Sequence, residues 1–274
     1  MLVDLIYKEL LQPRFRGVSP SHIYATETSV ETPDGEVLGT CMRKAWYRLT
    51  GCAETNPVAA WVSWAGAMGI AAEDLILDKI KSSPGAKLLG TQTRAFEPQS
   101  KISGKVDAVI QLEGEDSPRG CEIKTFYGYH NALALFGRER RWTNRKTDPP
   151  TVHEPCPGKP KDAHLIQVFF YAMILGHVPK WSLLYAARDK GKVSKGEAFL
   201  LREFEVELGS TPAGGMCPVV DGEADCRITA DSLLDRAKRL RGAIEIGTVP
   251  GRDFEQTQWQ CNYCNYKDRC WDDQ

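Results

Sequence analysis

The sequence predicts an α/β protein with extra pieces at both termini. Helix-like and strand-like runs follow one another in the order helix, three strands, helix, strands, helix and a cysteine-rich tail, which is typical of a sheet packed against helices. Hydrophobic residues make up 42% of the 274 residues and charged residues 26%, as in an ordinary globular protein. A chain of this length is long enough for one large domain or two small ones.

Periodicity and turn residues place the individual elements. Helices are predicted at residues 1–11, 41–49, 57–81, 162–177 and 231–247, with Asp162 as the N-cap of the fourth. Strands are predicted at residues 87–96, 101–112, 120–126, 180–189 and 198–208. Residues 130–162 are polar, basic and rich in proline, which indicates a long loop or insertion, and residues 210–227 read as irregular.

The charge balance excludes a uniformly basic protein. Lys and Arg number 35 against 36 Asp and Glu, so the net charge is −1 and any contact with nucleic acid has to come from a local basic patch. The first residues include acidic side chains and do not read as a signal peptide, and the most apolar stretches are too short to cross a bilayer. Nine cysteines, an odd number, disfavour a complete disulfide framework. We therefore expect a reduced, cytoplasmic protein, or one in the host cytoplasm if the gene is viral.

Two neighbouring strands carry a group of acidic and basic side chains. Strand alternation places Asp107 on the polar face of its strand, and it places Glu122 and Lys124 on one face of the next. A turn-rich connection joins these strands, which predicts an antiparallel pair with the three side chains on one surface. Two carboxylates are hard ligands for Mg²⁺ or Mn²⁺, and a lysine can hold a water molecule or offset charge on a phosphate. Taken alone, the pattern also fits a solvated strand face.

Two predicted helices add polar side chains to this surface. Gln167 and Tyr171 interrupt an apolar helix and are four residues apart, so they project from the same side. Glu73 lies among apolar neighbours in the long helix 57–81, from which a carboxylate can reach the same metal ion. The alternatives are a core tyrosine beside a stray glutamine, and a simple helix surface.

The tail carries three cysteines within ten residues. Cys261, Cys264 and Cys270 suit a thiolate metal centre, which normally needs a fourth protein ligand. Six other cysteines are candidates, and Cys41 stands out because the surrounding sequence CMRKAWYRL is basic and aromatic. Spacing alone does not choose between zinc and an iron–sulfur cluster.

Five motifs, in this order, resemble one known family. They are CMRKAWY, GKVDAVI, CEIKTF, QVFFY and CNYCNYKDRC, and the resemblance covers residues 18–270. Together they look like the RecB-like iron–sulfur exonuclease branch of the PD-(D/E)XK nuclease superfamily, which includes the CRISPR-associated adaptation nuclease and the nuclease subunit of AddAB. The resemblance implies a restriction-endonuclease-like core, with helices flanking a mixed central sheet, and an iron–sulfur module that joins the N- and C-terminal segments.

The resemblance implies two metal centres. A [4Fe–4S] cluster would be held by Cys41, Cys261, Cys264 and Cys270. Mg²⁺ or Mn²⁺ would be bound by Asp107, Glu122 and the Ile123 carbonyl, with Lys124 as a catalytic residue and Gln167 and Tyr171 as the family's Q-x3-Y motif. Many relatives carry a histidine four residues after a glycine in the first helix. Here Glu73 stands four residues after Gly69, and we expect it to assist as a metal ligand.

The cluster would have a structural role. Cys41 and Cys261 are 220 positions apart, so a shared metal centre would close most of the chain into a loop. By the chain-entropy estimate for cross-links, this closure is worth roughly 5 kcal/mol as an upper bound. We expect three segments: residues 1–56 with one cluster cysteine, a nuclease core at 57–210 with the basic insertion at 130–162, and a C-terminal helix and cluster tail at 211–274.

The basic insertion is the predicted contact with DNA. Its cations and aromatic rings suit a phosphate backbone and stacked bases, and Tyr127 follows the catalytic strand directly. The candidate DNA-binding residues are Arg138, Arg140, Arg141, Trp142 and Tyr127. A solvated flexible loop is the alternative interpretation of the insertion.

The sequence thus predicts a metal-dependent DNA nuclease, in particular an exonuclease acting on single strands or DNA ends. Its expected partners are DNA and proteins of recombination, repair or CRISPR adaptation. Two alternatives belong to other classes: a non-catalytic DNA-binding or adaptor protein on a nuclease fold, and a zinc-ribbon protein in which the carboxylates are incidental.

Overall fold

A mixed sheet lies at the centre of the protein in a computed structural model. The structure describes residues 21–57, 59–138, 142–144, 151–154, 156–189 and 200–272. Within these residues, eight strands form the main sheet and helices flank it, which confirms the predicted α/β class. The helix predicted at residues 1–11 lies outside the described residues. None of the helices in the described ranges combines the length and the apolar character that a bilayer crossing requires.

Fourteen strands are assigned within the described residues. The first ten are β1 (Ile23–Tyr24), β2 (Ser29–Glu31), β3 (Val37–Gly39), β4 (Ala86–Glu97), β5 (Ile102–Leu112), β6 (Arg119–Phe126), β7 (Gly137–Arg138), β8 (Trp142–Asn144), β9 (Thr151–His153) and β10 (Cys156–Pro157). The last four are β11 (Lys180–Ala187), β12 (Leu201–Ser210), β13 (Met216–Val220) and β14 (Glu223–Ala224).

The helices lie mostly where the periodicity predicts them. They are α1 (Met42–Leu49), α2 (Ala60–Ser82), α3 (Tyr129–Phe136), α4 (Asp162–Ile174), α5 (Ala230–Glu245), α6 (Trp259–Asn262) and α7 (Lys267–Asp272). The N-cap of α4 is Lys161, and Asp162 belongs to the first turn, so the predicted cap is wrong by one residue. The acidic side chain still lies where the helix dipole favours a negative charge.

The order of strands leaves a gap beside β5. The main sheet runs β1, β5, β6, β11, β12, β13 and β14, and β4 also pairs with β5. Because β4 follows one edge of β5 along its length, β1 and β6 have to share the other edge. β1 pairs with Ile102–Ser103, whereas β6 pairs antiparallel with residues 108–110. Within the described part of the chain, residues 104–107 therefore lack a strand partner on that edge.

Two helices cover opposite faces of the sheet. On one face, Ile76, Leu77 and Ile80 of α2 pack against a small cluster from β5 and β6. On the other face, α4 contributes buried residues to the large core, including Phe169 and Phe170. Two different helices can therefore reach the middle of β5 and β6, where the polar side chains lie.

Two sequence predictions for the irregular regions are corrected by the structure. Residues 210–227 were predicted to be irregular, but they contain β13 and β14, which extend the main sheet beyond β12. β13 includes Pro218 and does not alternate, so its structure depends on pairing with β12 rather than on a local pattern. The insertion 130–162 is not a continuous loop, because it includes most of α3 and four short strands. The division into three segments stays a prediction.

Candidate active site and cysteine-lined cavity

Asp107 and Glu122 lie where β5 and β6 separate. The two strands pair at only three positions, which end at Ala108 and Cys121. Just beyond, the Asp107 Oδ2 atom accepts a hydrogen bond from the Ile123 N–H at 2.7 Å, so a side chain takes the place of the missing strand partner. Both carboxylates are buried, with 8% of Asp107 and 2% of Glu122 exposed. Such burial of acidic groups is unusual unless they are paired.

One oxygen of Glu122 is held by two donors. Its Oε1 atom accepts hydrogen bonds from the Lys124 Nζ at 2.6 Å and from the Gln167 Nε2 at 2.7 Å. The same Gln167 Nε2 donates to the Tyr171 hydroxyl at 2.9 Å, and that hydroxyl donates to the Lys105 carbonyl at 3.1 Å. Gln167 and Tyr171 of α4 thus occupy the gap beside β5, and Gln167 holds the Glu122 carboxylate in place by a hydrogen bond.

The second oxygen of Glu122 is buried without a hydrogen-bond partner. Among the residues that the structure describes, no donor reaches its Oε2 atom. A buried carboxylate oxygen without a donor costs free energy, of the order of 1–3 kcal/mol or more. A cation is the kind of group that would satisfy this atom.

A third carboxylate comes from α2. At Gly69 the helix runs so close to β6 that an added Cβ atom would lie 3.2 Å from the Thr125 Oγ1. One helical turn later, Glu73 comes close enough to Asp107 to influence the pKa of that carboxyl.

Burial and mutual repulsion disfavour the charged forms of these acids. Burial raises the pKa of Glu122 to about 7, with Asp107 and Glu73 acting in the same direction and Lys124 opposing them. Burial also raises the pKa of Asp107, although the Ile123 N–H and the Lys124 ammonium group act against it. Three carboxylates beside one lysine therefore form a site that favours added positive charge.

The oxygen atoms of these side chains are chemically suited to a hard divalent cation. Carboxylate oxygens are the ligands that Mg²⁺ and Mn²⁺ prefer, and the donor set is Asp107, Glu122 and Glu73. As the side chains stand in the described ranges, no three His, Cys, Asp or Glu residues are grouped closely enough to hold a metal ion. Several of their oxygens instead accept hydrogen bonds from neighbouring amide, ammonium and backbone N–H groups. The contribution of the Ile123 carbonyl stays a prediction.

Two residues near the site have no signal in the sequence analysis. Gln92 of β4 donates to the Glu73 Oε1 at 3.4 Å and acts against the raised pKa of Asp107. His164 of α4 is half-buried, and its Nδ1 lies 2.9 Å from the Tyr185 hydroxyl. Burial lowers the pKa of His164 to about 3, with Lys124 acting in the same direction, so the imidazole is neutral. A register alignment of β4 on β5 would have identified Gln92 as the residue opposite Asp107.

The predicted DNA-binding residues are described only in part. Tyr127 is 54% exposed just after β6, and the Arg188 guanidinium lies over its ring at 5.1 Å from the centroid. Arg140 and Arg141 lie outside the described residues. Arg138 and Trp142 belong to β7 and β8, where the structure describes the backbone alone. Their contact with DNA stays a prediction.

The four predicted cluster cysteines line one cavity of about 160 Å³. Cys41 comes from the N-terminus of α1, whereas Cys261, Cys264 and Cys270 come from the tail. Lys44, Arg252 and Lys267 also line the cavity, together with aromatic rings that include Tyr47 and Trp271. The four thiols lie beside aromatic rings and positively charged side chains. Such surroundings suit a group bound by thiolates, because the cations offset the negative charge of these ligands.

Burial favours the protonated thiol at two cysteines of this cavity, Cys41 and Cys261. Burial raises the pKa of Cys41 to about 11, and burial also raises the pKa of Cys261. A thiophilic metal would have to displace these protons, because the thiolate is the ligand form. The Arg43 Nη1 lies 3.6 Å from the Cys270 Sγ, and its positive charge would stabilise a thiolate at that position.

Comparisons with known proteins identify no family. No protein-family model matches the chain, and no curated protein matches it. Among solved structures, one described as the "Crystal structure of SSO0001" is similar, with 15% sequence identity and a TM-score of 0.48 over 98% of this chain and 96% of that chain. Similarity at this level does not indicate a function, so the family suggested by the motifs stays a prediction.

Proposed function

We propose that the protein is a divalent-metal-dependent DNA nuclease, in particular an exonuclease that acts on single strands or ends. The observation that supports this most strongly is Glu122, a buried carboxylate with one oxygen held by Lys124 and Gln167 and the other without a donor among the described residues. Asp107 and Glu73 add two more carboxylates at the same place.

Each residue has a distinct role in this proposal. Asp107, Glu122 and Glu73 would hold Mg²⁺ or Mn²⁺, which supplies polarisation of the phosphodiester and a lower pKa for water. Lys124 lies 2.6 Å from Glu122 and would orient the attacking water or offset charge on the phosphate. Gln167 and Tyr171 fix the orientation of Glu122, because one amide links the carboxylate to the phenol and the phenol is anchored on β5.

The cysteine cavity would hold a [4Fe–4S] cluster with a structural role. Its four cysteines come from both ends of the described chain, and thiolates are the usual ligands of such clusters. A zinc ion is the alternative and uses the same ligands. Colour separates the two, because an anaerobically purified iron–sulfur protein is brown, whereas a zinc protein is colourless.

The decisive experiment is an activity assay on single-stranded, duplex and circular DNA with Mg²⁺ and with Mn²⁺. Lys124→Ala should reduce cleavage at least 100-fold, the lower range for loss of a positioned acid–base or charge-stabilising group. Lys87→Ala is the matched control, because it removes an exposed lysine from β4 of the same sheet.

Two outcomes would overturn the proposal. If folded Lys124→Ala cleaves DNA as fast as the wild type, the assignment of the site is wrong. If the wild type binds DNA but cleaves none of the substrates with any divalent ion, the protein is a binding or adaptor module rather than a nuclease.

A further inference from the structure

We propose that Gln92 is a positioning residue of the cation site, whose carboxamide bridges Glu73 and Asp107 and holds them as a pair of metal ligands. This inference rests on the proposed function, because it concerns the same carboxylates. It goes beyond the family motifs, since Gln92 belongs to none of the five sequence runs that resemble the family.

The backbone at Gln92 is in a conformation that few residues other than glycine adopt. Its φ is 52°, in the left-handed region, although it lies in the middle of β4. The strand pairing continues on both sides, with Thr91 opposite Ala108 and Thr93 opposite Val106. Gln92 therefore stands opposite Asp107, at the position where β4 departs from regular geometry.

This conformation has a free-energy cost that a glycine would avoid. A non-glycine residue in the left-handed region costs on the order of 1–3 kcal/mol, and such residues concentrate at functional sites. Gln92 is exposed, so burial of its side chain does not offset that cost. Its polar contacts are therefore the feature that distinguishes this position.

The contacts of its carboxamide explain why a glutamine stands at this position. Its Nε2 lies 3.4 Å from the Glu73 Oε1, and the side chain stands opposite Asp107 in the strand register, close enough to act against the raised pKa of that carboxyl. A primary amide has two N–H donors, so one group can hold two carboxylates at once. Being neutral, it does so without adding a charge that would compete with the cation. The carboxylates of α2 and β5 thus acquire a fixed separation through β4.

Gln92→Gly tests this role without straining the backbone. We expect its affinity for Mn²⁺, measured by electron paramagnetic resonance or calorimetry, to fall about 10-fold, the lower end for loss of a residue that orients metal ligands. Its melting temperature in EDTA should stay the same or rise, because glycine accepts this backbone conformation. A purely structural role for Gln92 predicts the opposite pair of results, an unchanged affinity and a lower melting temperature.

Lys101→Gly is the matched control. Lys101 also has a positive φ, 54°, but it lies in the turn between β4 and β5 and not among the carboxylates. We expect this variant to bind Mn²⁺ with wild-type affinity. If the wild type binds Mn²⁺ and Gln92→Gly binds it equally well, the role of Gln92 is wrong while the cation site stands. If the wild type binds no Mn²⁺, the cation site itself fails and the role of Gln92 fails with it.

Discussion

At the scale of single residues, Glu122 has the strongest physical consequences. Its carboxylate is almost fully buried, yet its partners satisfy only one of the two oxygens among the described residues. The rise of its pKa from 4.5 to about 7 means that the folded state holds a proton that the unfolded state releases. Above pH 4.5 the folded state is therefore less stable than it would be with an unshifted carboxyl at this position.

The pH dependence of stability follows from this shift. Between pH 4.5 and about 7 the folded state binds more protons than the unfolded state, so the free energy of unfolding falls as pH rises through that range. Glu122→Gln should remove this loss, which amounts to about 3 kcal/mol from the size of the shift. Urea unfolding in EDTA at pH 5, 6, 7 and 8 measures it. Parallel curves for the two proteins would contradict the raised pKa.

Some residues of the candidate site could be predicted from the sequence, and others could not. Strand alternation is enough to put Glu122 and Lys124 on one face, and helical spacing is enough to put Gln167 beside Tyr171. The structure brings these side chains together with Asp107. Gln92 could not be predicted, because its role depends on the register of β4 against β5 and on a local reversal of φ that no residue pattern encodes.

At the scale of elements, the divergence of β5 and β6 shapes the site. Regular pairing would have used the Ile123 N–H in the sheet and left no space for side chains between the strands. The Asp107 carboxylate accepts a hydrogen bond from that N–H instead, so a single residue lies both at the end of the strand pairing and at the proposed cation site. The position of the site is thus a property of the pair of strands.

Two substitutions at Asp107 separate these roles. Asp107→Asn keeps an oxygen acceptor for the Ile123 N–H, whereas Asp107→Ala leaves that buried donor without a partner. Both should lose Mn²⁺ binding, but the alanine variant should be less stable than the asparagine variant by about 1–3 kcal/mol. Denaturant unfolding in EDTA measures the difference. Equal stabilities would show that the hydrogen bond does not hold the strands in place.

The elements themselves were predictable where the local pattern is strong. The apolar helix α4 and the alternating strands β5 and β6 follow directly from periodicity. β13 was missed because it is five residues long and contains Pro218, so its pairing with β12 comes from tertiary contacts. Most residues of the candidate site could be selected from the sequence because they lie on elements with a strong local pattern.

At the scale of the whole molecule, the tail is docked on the N-terminal segment. The Asn265 carbonyl accepts hydrogen bonds from the Thr55 and Asn56 N–H groups at 3.0 and 2.8 Å. The Arg43 Nη1 donates to the Cys270 carbonyl at 3.0 Å. These contacts join segments more than 200 residues apart, and the last of them involves Cys270, which lines the cavity together with Cys41, Cys261 and Cys264. The sequence predicted this association through cysteine spacing and family resemblance, whereas the contacts that position it are long-range and could not be predicted.

Loss of the shared centre should release the tail. Cys41→Ser removes the one cavity cysteine that comes from the N-terminal segment, so we expect loss of bound iron and sulfide, a stability loss of up to roughly 5 kcal/mol, and faster tryptic cleavage after Arg252 and Lys267. Cys156→Ser is the matched control, because Cys156 is exposed in β10 and does not line the cavity. Metal analysis, thermal unfolding and timed proteolysis check the three effects. A Cys41→Ser protein that keeps its iron and its resistance to trypsin would exclude Cys41 as the fourth ligand. If the wild type contains zinc instead of iron, the cross-link stands but the iron–sulfur cluster is rejected.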